Sequence, residues 1–507
     1  MAGHPFIFVV EKQTMFLILF FIGVVLRLWM LLRGHAFWGD EWASILIAKA
    51  PLKAGIFYCI QDVHPPLYFV LLHESIRFFG FNEIAFRLPS WIAGVGVIVG
   101  VYFLAKEYYE KRTALFAAFF VSISPYFIHL TNEIRNHGLP VLFYTWGTYF
   151  FLRMTRAARP AKWGIVYGLT AAAAIYTTHF SWFWFGVIAG AHAWMVWVKQ
   201  TPKKTLWFQG VVFVVCVPAL LLCLYHFYNT CFPFNESISC RDEMLFSRPW
   251  ILPRKILCIY WSSLVGPFFD INFNKDVLHY FKTSWSFCFS ALCFAIAGGL
   301  IAWRFFKSEL KEKFIAIAIL SFPVIVVILD HSRLKSRYFG FVAIFIILWL
   351  AKSVTTLKNR AFLLLFLSLF SVALFRESLR AIYLPADIES KDDFEGGFRY
   401  VLEHAGENDA IAKPNSIMDY YQKKLNLSTK ATFVDMRDFN GRHGTQKFSR
   451  VWFIAMNLVQ TEAINDLDER LIRLGFYQAK NHVFFGSQSP DYVVKMFSVR
   501  QDDIVDI

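Results

Sequence analysis

MFLILFFIGVVLRLWMLLRGHAFWGDEWAS (residues 15–44) joins two kinds of sequence that need separate explanations. Residues 15–32 form an apolar run of about the 20 residues that a helix needs to cross a bilayer. No small-residue cleavage site follows, so this run is expected to stay as a helix, with no separate targeting peptide. Directly after it come Asp40 and Glu41, and then QDVHPPLYF (61–69) with Asp62, His64 and paired prolines. Nothing in membrane packing requires these residues.

The rest of the chain sets the class. Of 507 residues 57% are hydrophobic, 19% aromatic and only 17% charged, with a mean hydropathy of +0.44. Soluble globular chains run nearer to about 45–50% apolar and about 25% charged, so the reading is a polytopic α-helical membrane protein. Candidate spans are 15–32, 88–105, 113–130, 138–152, 164–178, 182–198, 206–227, 284–303, 314–330, 338–351 and 361–375, about eleven in all, some short enough to need tilt or neighbours. Ionisable side chains are nearly absent from their interiors in this reading and gather at one set of ends.

The net charge is +14, yet residues 385–507 hold 15 Lys and Arg against 19 Asp and Glu, a balance of −4 that leaves +18 for 1–384. The positive charge therefore belongs to the membrane part. It sits in loop ends and forms no basic face, which argues against nucleic-acid binding. KEYYEKR (106–112), RMTRAARPAK (153–162), KQTPKK (199–204), KSELKEK (307–313) and KSVTTLKNR (352–360) share one side only if 34–87 is a single loop on the other. The positive-inside rule then predicts an inner N-terminus and an outer C-terminus.

Within that first outer loop, 40–50 and 65–79 read as helices lying in the interface, and 255–269 as a third; each could equally be a short re-entrant segment. From 385 onward the composition is that of a small α/β soluble domain on the outer face, after a membrane domain of 1–384. Strands are expected at DAIAK, TFVDM, VWFIAM, HVFF and YVVKMFSV, and amphipathic helices at 390–404, 415–425 and 460–474. Among the eight cysteines, Cys231 and Cys240 share an outer loop and are candidates for a disulfide.

Polar residues gather at the outer ends: Asp40, Glu41, Asp62 and His64, then Glu133, Arg135 and His137 in TNEIRNHG, His179 in YTTHFSW, His226, and Asp330, His331, Arg333, Lys335, Arg337 and Tyr338 in DHSRLKSRYF. This one-sided set points to an interfacial active site. Asp40 and Glu41 are adjacent, so on a helix they diverge by about 100° and cannot both face one reactant. Asp40 could instead cap the helix, and Glu41 could be a first-turn acid favoured by the dipole. The prolines after His64 fix it in extended geometry just before a helix. Asp62, two residues away, orients His64, binds a metal with it, or does neither. Arg333, Lys335 and Arg337 either anchor to membrane lipid headgroups or grip a lipid phosphate, for which Arg offers a forked donor.

WGDEW after the first span, DVHPPLYF, FRLPSW, NEIRNHGL and SRY together resemble the GT-C superfamily of polyprenyl-phosphate-sugar glycosyltransferases. The resemblance is to the protein O-mannosyltransferase and lipid A aminoarabinose transferase branch and covers about residues 10–375. It implies the GT-C fold with interfacial helices in the first outer loop. It also implies a donor of sugar on a polyprenyl phosphate, with Asp40 as catalytic acid–base residue. Asp62 and His64 would contribute to the site, Glu133 and Arg135 to substrate binding, and Arg337 and Tyr338 to a carrier-phosphate contact. The expected reaction is inverting transfer to an acceptor hydroxyl of a protein, lipid or glycan, with a bacterial inner membrane as the default location. Two departures stand out: His137 where many members have Tyr, and no DxD in the second outer loop, so a divalent metal stays an open question. The competing classes are a transporter or flippase of lipid-linked sugars and a non-catalytic scaffold.

Overall fold

The computed structural model describes residues 5–34, 37, 39–61, 64–231, 260, 285–329, 336–383, 394–413, 417–425, 429–435, 448–456, 477–485 and 490–498. The chain divides into two compact units, Met1–Gly34 with Ala43–Tyr383, and His35–Trp42 with Leu384–Ile507.

The first unit is helical. In chain order it holds α1 (Pro5–Arg33), most of α2 (Gly39–Lys49), α3 (Leu52–Gln61), α4 (Leu67–Phe79), α5 (Glu83–Tyr108), α6 (Lys111–Ile123), α7 (Pro125–Leu130), α8 (Gly138–Arg156), α9 (Ala161–Ile175) and α10 (Ser181–Trp197). After these come α11 (Trp207–Val215), α12 (Val217–Cys231), α13 (Trp285–Lys307), α14 (Leu310–Leu329), α15 (Gly340–Thr356) and α16 (Arg360–Tyr383). All the candidate spans fall on helices. Among the described residues four stretches are individually long and apolar enough to cross a membrane: Thr14–Arg33, Glu83–Tyr108, Arg337–Thr356 and Arg360–Leu379. A fifth would be the pair Lys203–Val215 and Val217–Tyr225, bent by 51°. The protein is an integral membrane protein. The interfacial readings of 40–50 and 65–79 fall on α2 and α4; α3 had no counterpart in the sequence reading, and 255–269, Tyr260 apart, lies outside the described residues.

Local chemistry explains the irregular points. Asn82 caps α5, its side chain accepting from the Ala85 N–H at 3.0 Å. Pro89 lies inside α5 and cannot donate to the carbonyl four residues back. That carbonyl, on Ala85, accepts instead from Ser75 Oγ of α4 at 2.6 Å, so the defect in one helix becomes the joint to another. Ser124, before Pro125, is extended (φ −72°, ψ 122°) and separates α6 from α7, as a residue preceding proline prefers.

The carbonyls freed at that break do not go unmet. Arg27 of α1 donates to Val121 O at 3.0 Å and Ser122 O at 3.1 Å, and Ser378 Oγ of α16 donates to Ile123 O at 2.7 Å. This corrects the expectation that span interiors are nearly free of ionisable groups: Arg27 and His192 lie within spans and are fully buried. Each is retained because polar partners surround it. The Thr205 hydroxyl donates to Pro202 O, so it accepts from His192 Nε2–H at 2.8 Å. His192 Nδ1 accepts from Gln209 at 3.1 Å, and Gln209 Oε1 from Tyr167 at 2.8 Å, a fully satisfied chain across α9, α10 and α11.

Ion pairs gather several basic loops at one end of the helices. Arg153 and Arg156, closing α8, each lie 3.2 Å from Glu107. Lys352 near the end of α15 lies 2.7 Å from Glu110, and Arg304 of α13 lies 2.8 Å from Glu312 of α14. With 26 residues, α5 is about 39 Å long at 1.5 Å per residue, so Ser90 near its start is at the opposite end from Glu107.

The second unit contains α17 (Phe394–His404), β1 (Asp409–Lys413), α18 (Ile417–Leu425), β2 (Thr432–Asp435), β3 (Arg450–Met456), β4 (Tyr477–Phe485) and β5 (Pro490–Ser498). The sheet order is β2-β1-β3-β5-β4. β1 is parallel to β2 and β3, and β5 antiparallel to β3 and β4. Buried Asp409 anchors the start of the inner strand β1, accepting from Arg450 Nε at 3.0 Å, Trp452 Nε1 at 2.8 Å and the Gly406 N–H at 2.8 Å. The helix expected at 460–474 and Cys240, the expected partner of Cys231, lie outside the described residues.

Candidate active site

The site is built around the turn Thr131–His137, between α7 and α8. Its entry is set by α7, where Asn132 Nδ2 donates to Ile128 O at 2.7 Å, returning to the end of that helix. Its exit needs glycine: a Cβ on Gly138 would stand 2.5 Å from the Leu130 carbonyl oxygen. Between these points the turn is tied to three helices or their ends. Ser90 of α5 donates to the Glu133 carbonyl at 2.7 Å. Arg135 Nη1 donates to Ser44 Oγ of α2 at 3.3 Å, and Asn136 Nδ2 to Thr177 O, just after α9, at 3.1 Å. Glu133 is fully buried, with His129 Nε2 of α7 at 3.3 Å from its carboxylate.

His64 stands where the prolines put it. Its N–H donates to Cys59 O of α3 at 2.7 Å, and two residues past the proline pair's start the Leu67 N–H reaches Tyr176 O, after α9, at 3.0 Å. The His64 ring stacks on Phe69, 6.0 Å between centroids and 13° between planes. Tyr68, also at the start of α4, offers its phenol to Ser90 Oγ at 3.4 Å. Because Ser90 gives its own proton to Glu133 O, DVHPPLYF, FRLPSW and NEIRNHGL are linked by one line of hydroxyls.

Arg337 and Tyr338 come from the short 3₁₀ turn Ser336–Phe339 before α15. Tyr338 stacks on Phe180 at 4.7 Å and 14° and meets His137 edge-on at 5.1 Å. The Arg337 guanidinium lies 5.7 Å from the Tyr338 ring and is itself buried. Burial holds the His137 imidazole well below its usual range; Arg337 and Arg135 push it the same way, Glu133 opposes, and His64 adds to the lowering. His64, Glu133, Arg135 and Arg337 therefore all act on His137, in a buried cluster that keeps the imidazole neutral.

The sequence candidates thus divide. His64, Glu133, Arg135, Arg337 and Tyr338 come together; half-buried His179 lies between Thr177 and Phe180, both of which touch the cluster's members. Asp40 and Glu41 belong to the second unit by contacts and occupy the first turn of α2, Glu41 fully buried and Asp40 partly exposed. α2 begins at Gly39, so Asp40 lies in its first turn, where an acid faces the helix dipole. Asp62, Arg333 and Lys335 lie outside the described residues, as do Asp330 and His331. His137, named with Glu133 and Arg135 in the outer-end set, joins the cluster, whereas His129 was not among the sequence candidates; its i,i+4 spacing from Glu133 was the available signal. Among the described residues no three His, Cys, Asp or Glu side chains gather as metal ligands.

Residues 63–225 match the profile of a family described as dolichyl-phosphate-mannose-protein mannosyltransferase. In structure, the chain is similar to ArnT from Cupriavidus metallidurans bound to undecaprenyl phosphate, with a TM-score of 0.53 and 11% identity over 99% of this chain and 100% of that one. The chain shares the fold of that ArnT. The same ArnT in its apo state gives a TM-score of 0.51 and 12% identity, covering 99% of both chains. Comparison with curated protein sequences finds no match. The profile covers the site's GT-C segments from α4 through α12, including the turn at Glu133 and the pair His179–Phe180, but not Asp40 or Arg337.

Proposed function

We propose that this chain is an inverting glycosyltransferase that moves a sugar from a polyprenyl-phosphate carrier to an acceptor hydroxyl at the outer face of the membrane. The observation that carries the reading is the pair of buried guanidiniums, Arg135 and Arg337, facing a neutral His137 at one end of a helical membrane unit. Such a cluster favours a phosphate whose lipid tail remains in the bilayer, and Arg presents it with a planar fork of donors.

In the reaction the acceptor oxygen attacks the anomeric carbon as Asp40 takes its proton. The bond from that carbon to the phosphate oxygen breaks, and polyprenyl phosphate departs with the bonding pair. Arg337 and Arg135 stabilise the negative charge that grows on it, while His64 and Glu133 orient the sugar end. One displacement inverts the anomeric configuration and needs no covalent enzyme intermediate. The gathered basic loops support a topology in which they face the cytoplasm and the site faces outward, as in a bacterial inner membrane. ArnT, the structural likeness, binds undecaprenyl phosphate, and that carrier class is the donor tail proposed here. A transporter would call for paired broken helices around mid-span polar sites; among the described residues one bent pair, at Cys216, has that form.

The test is direct: purified protein in detergent with radiolabelled polyprenyl-phosphate sugars and a panel of peptide, lipid and glycan acceptors. Transfer of label with inversion supports the reading. Movement of intact lipid-linked sugar across proteoliposome bilayers without transfer overturns it.

A further inference from the structure

The second unit contains a segment remote in sequence from the rest of it, His35–Trp42, which holds Asp40. What binds that segment is helix α18. The Phe37 N–H donates to the phenol oxygen of Tyr421 at 2.7 Å. The Phe37 ring lies 5.3 Å from Tyr420 and 6.0 Å from Tyr421, and Trp42 lies 5.7 Å from Tyr420. Phe37 and Tyr421 are both fully buried, and Trp42 nearly so. Phe37 is three residues before Asp40 and Trp42 two residues after, so the acid is held on both sides by one pair of tyrosines.

The seat is firm. α18 is the crossover between parallel strands β1 and β2, Lys424 at its end pairs with Glu395 of α17 at 2.8 Å, and the same ammonium lies 5.4 Å from the Tyr421 ring. Tyrosine suits the task because its ring buries apolar area while its hydroxyl serves a main-chain group that would otherwise be orphaned. We infer that α18 is a positioning element for catalysis, with Tyr420 and Tyr421 as positioning residues that fix the main chain carrying Asp40. This inference rests on the proposed role of Asp40.

The test compares wild type with Tyr421→Phe, which removes one hydroxyl and keeps the ring, in the full chain with radiolabelled polyprenyl-phosphate sugar. Turnover should fall roughly three- to tenfold, the worth of one buried hydrogen bond, with donor KM unchanged, because a displaced base affects only the transition state. In an Asp40→Asn background Tyr421→Phe should cause no further loss, since the two act as a unit. A merely structural role would lower both backgrounds equally. A wild type that transfers no sugar overturns the proposed function and this inference with it; an active wild type with additive losses, or no loss, overturns this inference alone. Should Tyr421→Phe fold poorly, Phe37→Leu, which keeps apolar volume but removes the ring that meets Tyr420 and Tyr421, gives a second readout: it should lower turnover beside Asp40 and cause no further loss in the Asp40→Asn background, and equal losses in both backgrounds refute the inference.

Discussion

Asp40→Asn separates the two tasks open to Asp40 by their size. As a first-turn acid on α2, Asp40 contributes about 0.3–1 kcal/mol through the helix dipole. Losing that alone would change a rate by at most about fivefold, since 1.4 kcal/mol corresponds to a factor of about ten. As the base that receives the acceptor proton, it should be worth about two orders of magnitude or more. Asparagine keeps the shape and can still accept from the helix N–H groups, so the folded chain and its donor affinity should persist. The neighbouring Glu41 is fully buried and points away, so Glu41→Gln should disturb stability more than turnover. The assay is the initial rate of sugar transfer for both variants at equal protein level, with thermal unfolding in detergent as the control. An Asp40→Asn enzyme within fivefold of wild type would refute the base assignment.

Three further outcomes follow from the same geometry. Arg337→Ala should raise donor KM more than Arg337→Lys, because lysine keeps the charge but not the fork beside Tyr338; equal kinetics for both and wild type would reduce the residue to an anchor. His137, depressed by burial and by Arg337 and Arg135, is neutral when folded and takes up a proton on unfolding below its ordinary range near 6.5. Stability should therefore be lost as pH falls below about 6.5, by up to about 1.4 kcal/mol per pH unit, and His137→Gln should flatten that slope in unfolding scans from pH 7.5 to 5. Arg27→Met removes the donors at the α6–α7 break and should cost about 1–3 kcal/mol, read by thermal unfolding; an unchanged midpoint would mean that water or another group serves Val121 and Ser122.

Much of this architecture was legible in the sequence because apolar length and turn chemistry are local. The candidate spans lie on helices, although 113–130 is broken at Ser124 and 206–227 at Cys216, and the five expected strands lie on β1–β5. What periodicity could not reveal was pairing at a distance. Arg27 reads as a blemish in an apolar run until the carbonyls of Val121 and Ser122, about ninety residues on, are seen to need it. The site divided in the same way. His64, Glu133, Arg135, His137 and Arg337 could be picked out as polar residues at outer ends, but the neutrality of His137 could not, because it depends first on burial and then on Arg337 from a distant segment as well as on neighbouring Arg135. The hold of Tyr421 on Phe37 spans 384 positions, and no pattern in either stretch announces it.

The hydroxyl line Tyr68–Ser90–Glu133 gives a physical reason why three short motifs occur in one chain. Ser90 lies one residue past Pro89, where α5 lacks a hydrogen bond and α4 supplies the missing donor through Ser75. The joint that repairs the helix thus sets the spacing of α4 and α5, and that spacing lets Tyr68 reach Ser90 while Ser90 reaches the Glu133 carbonyl. The prolines of DVHPPLYF fix where α4 begins, and so where His64 stands relative to the turn that carries Glu133 and Arg135. A proline in one motif, a serine in the next and a carbonyl in the third therefore act as one positioning device, which places polar groups at the membrane boundary with helices and not loops as their foundation. Sites built on packed helices hold their geometry more closely than sites on free loops. A phosphate departing into lipid and a proton leaving toward water require groups fixed on both sides of one carbon.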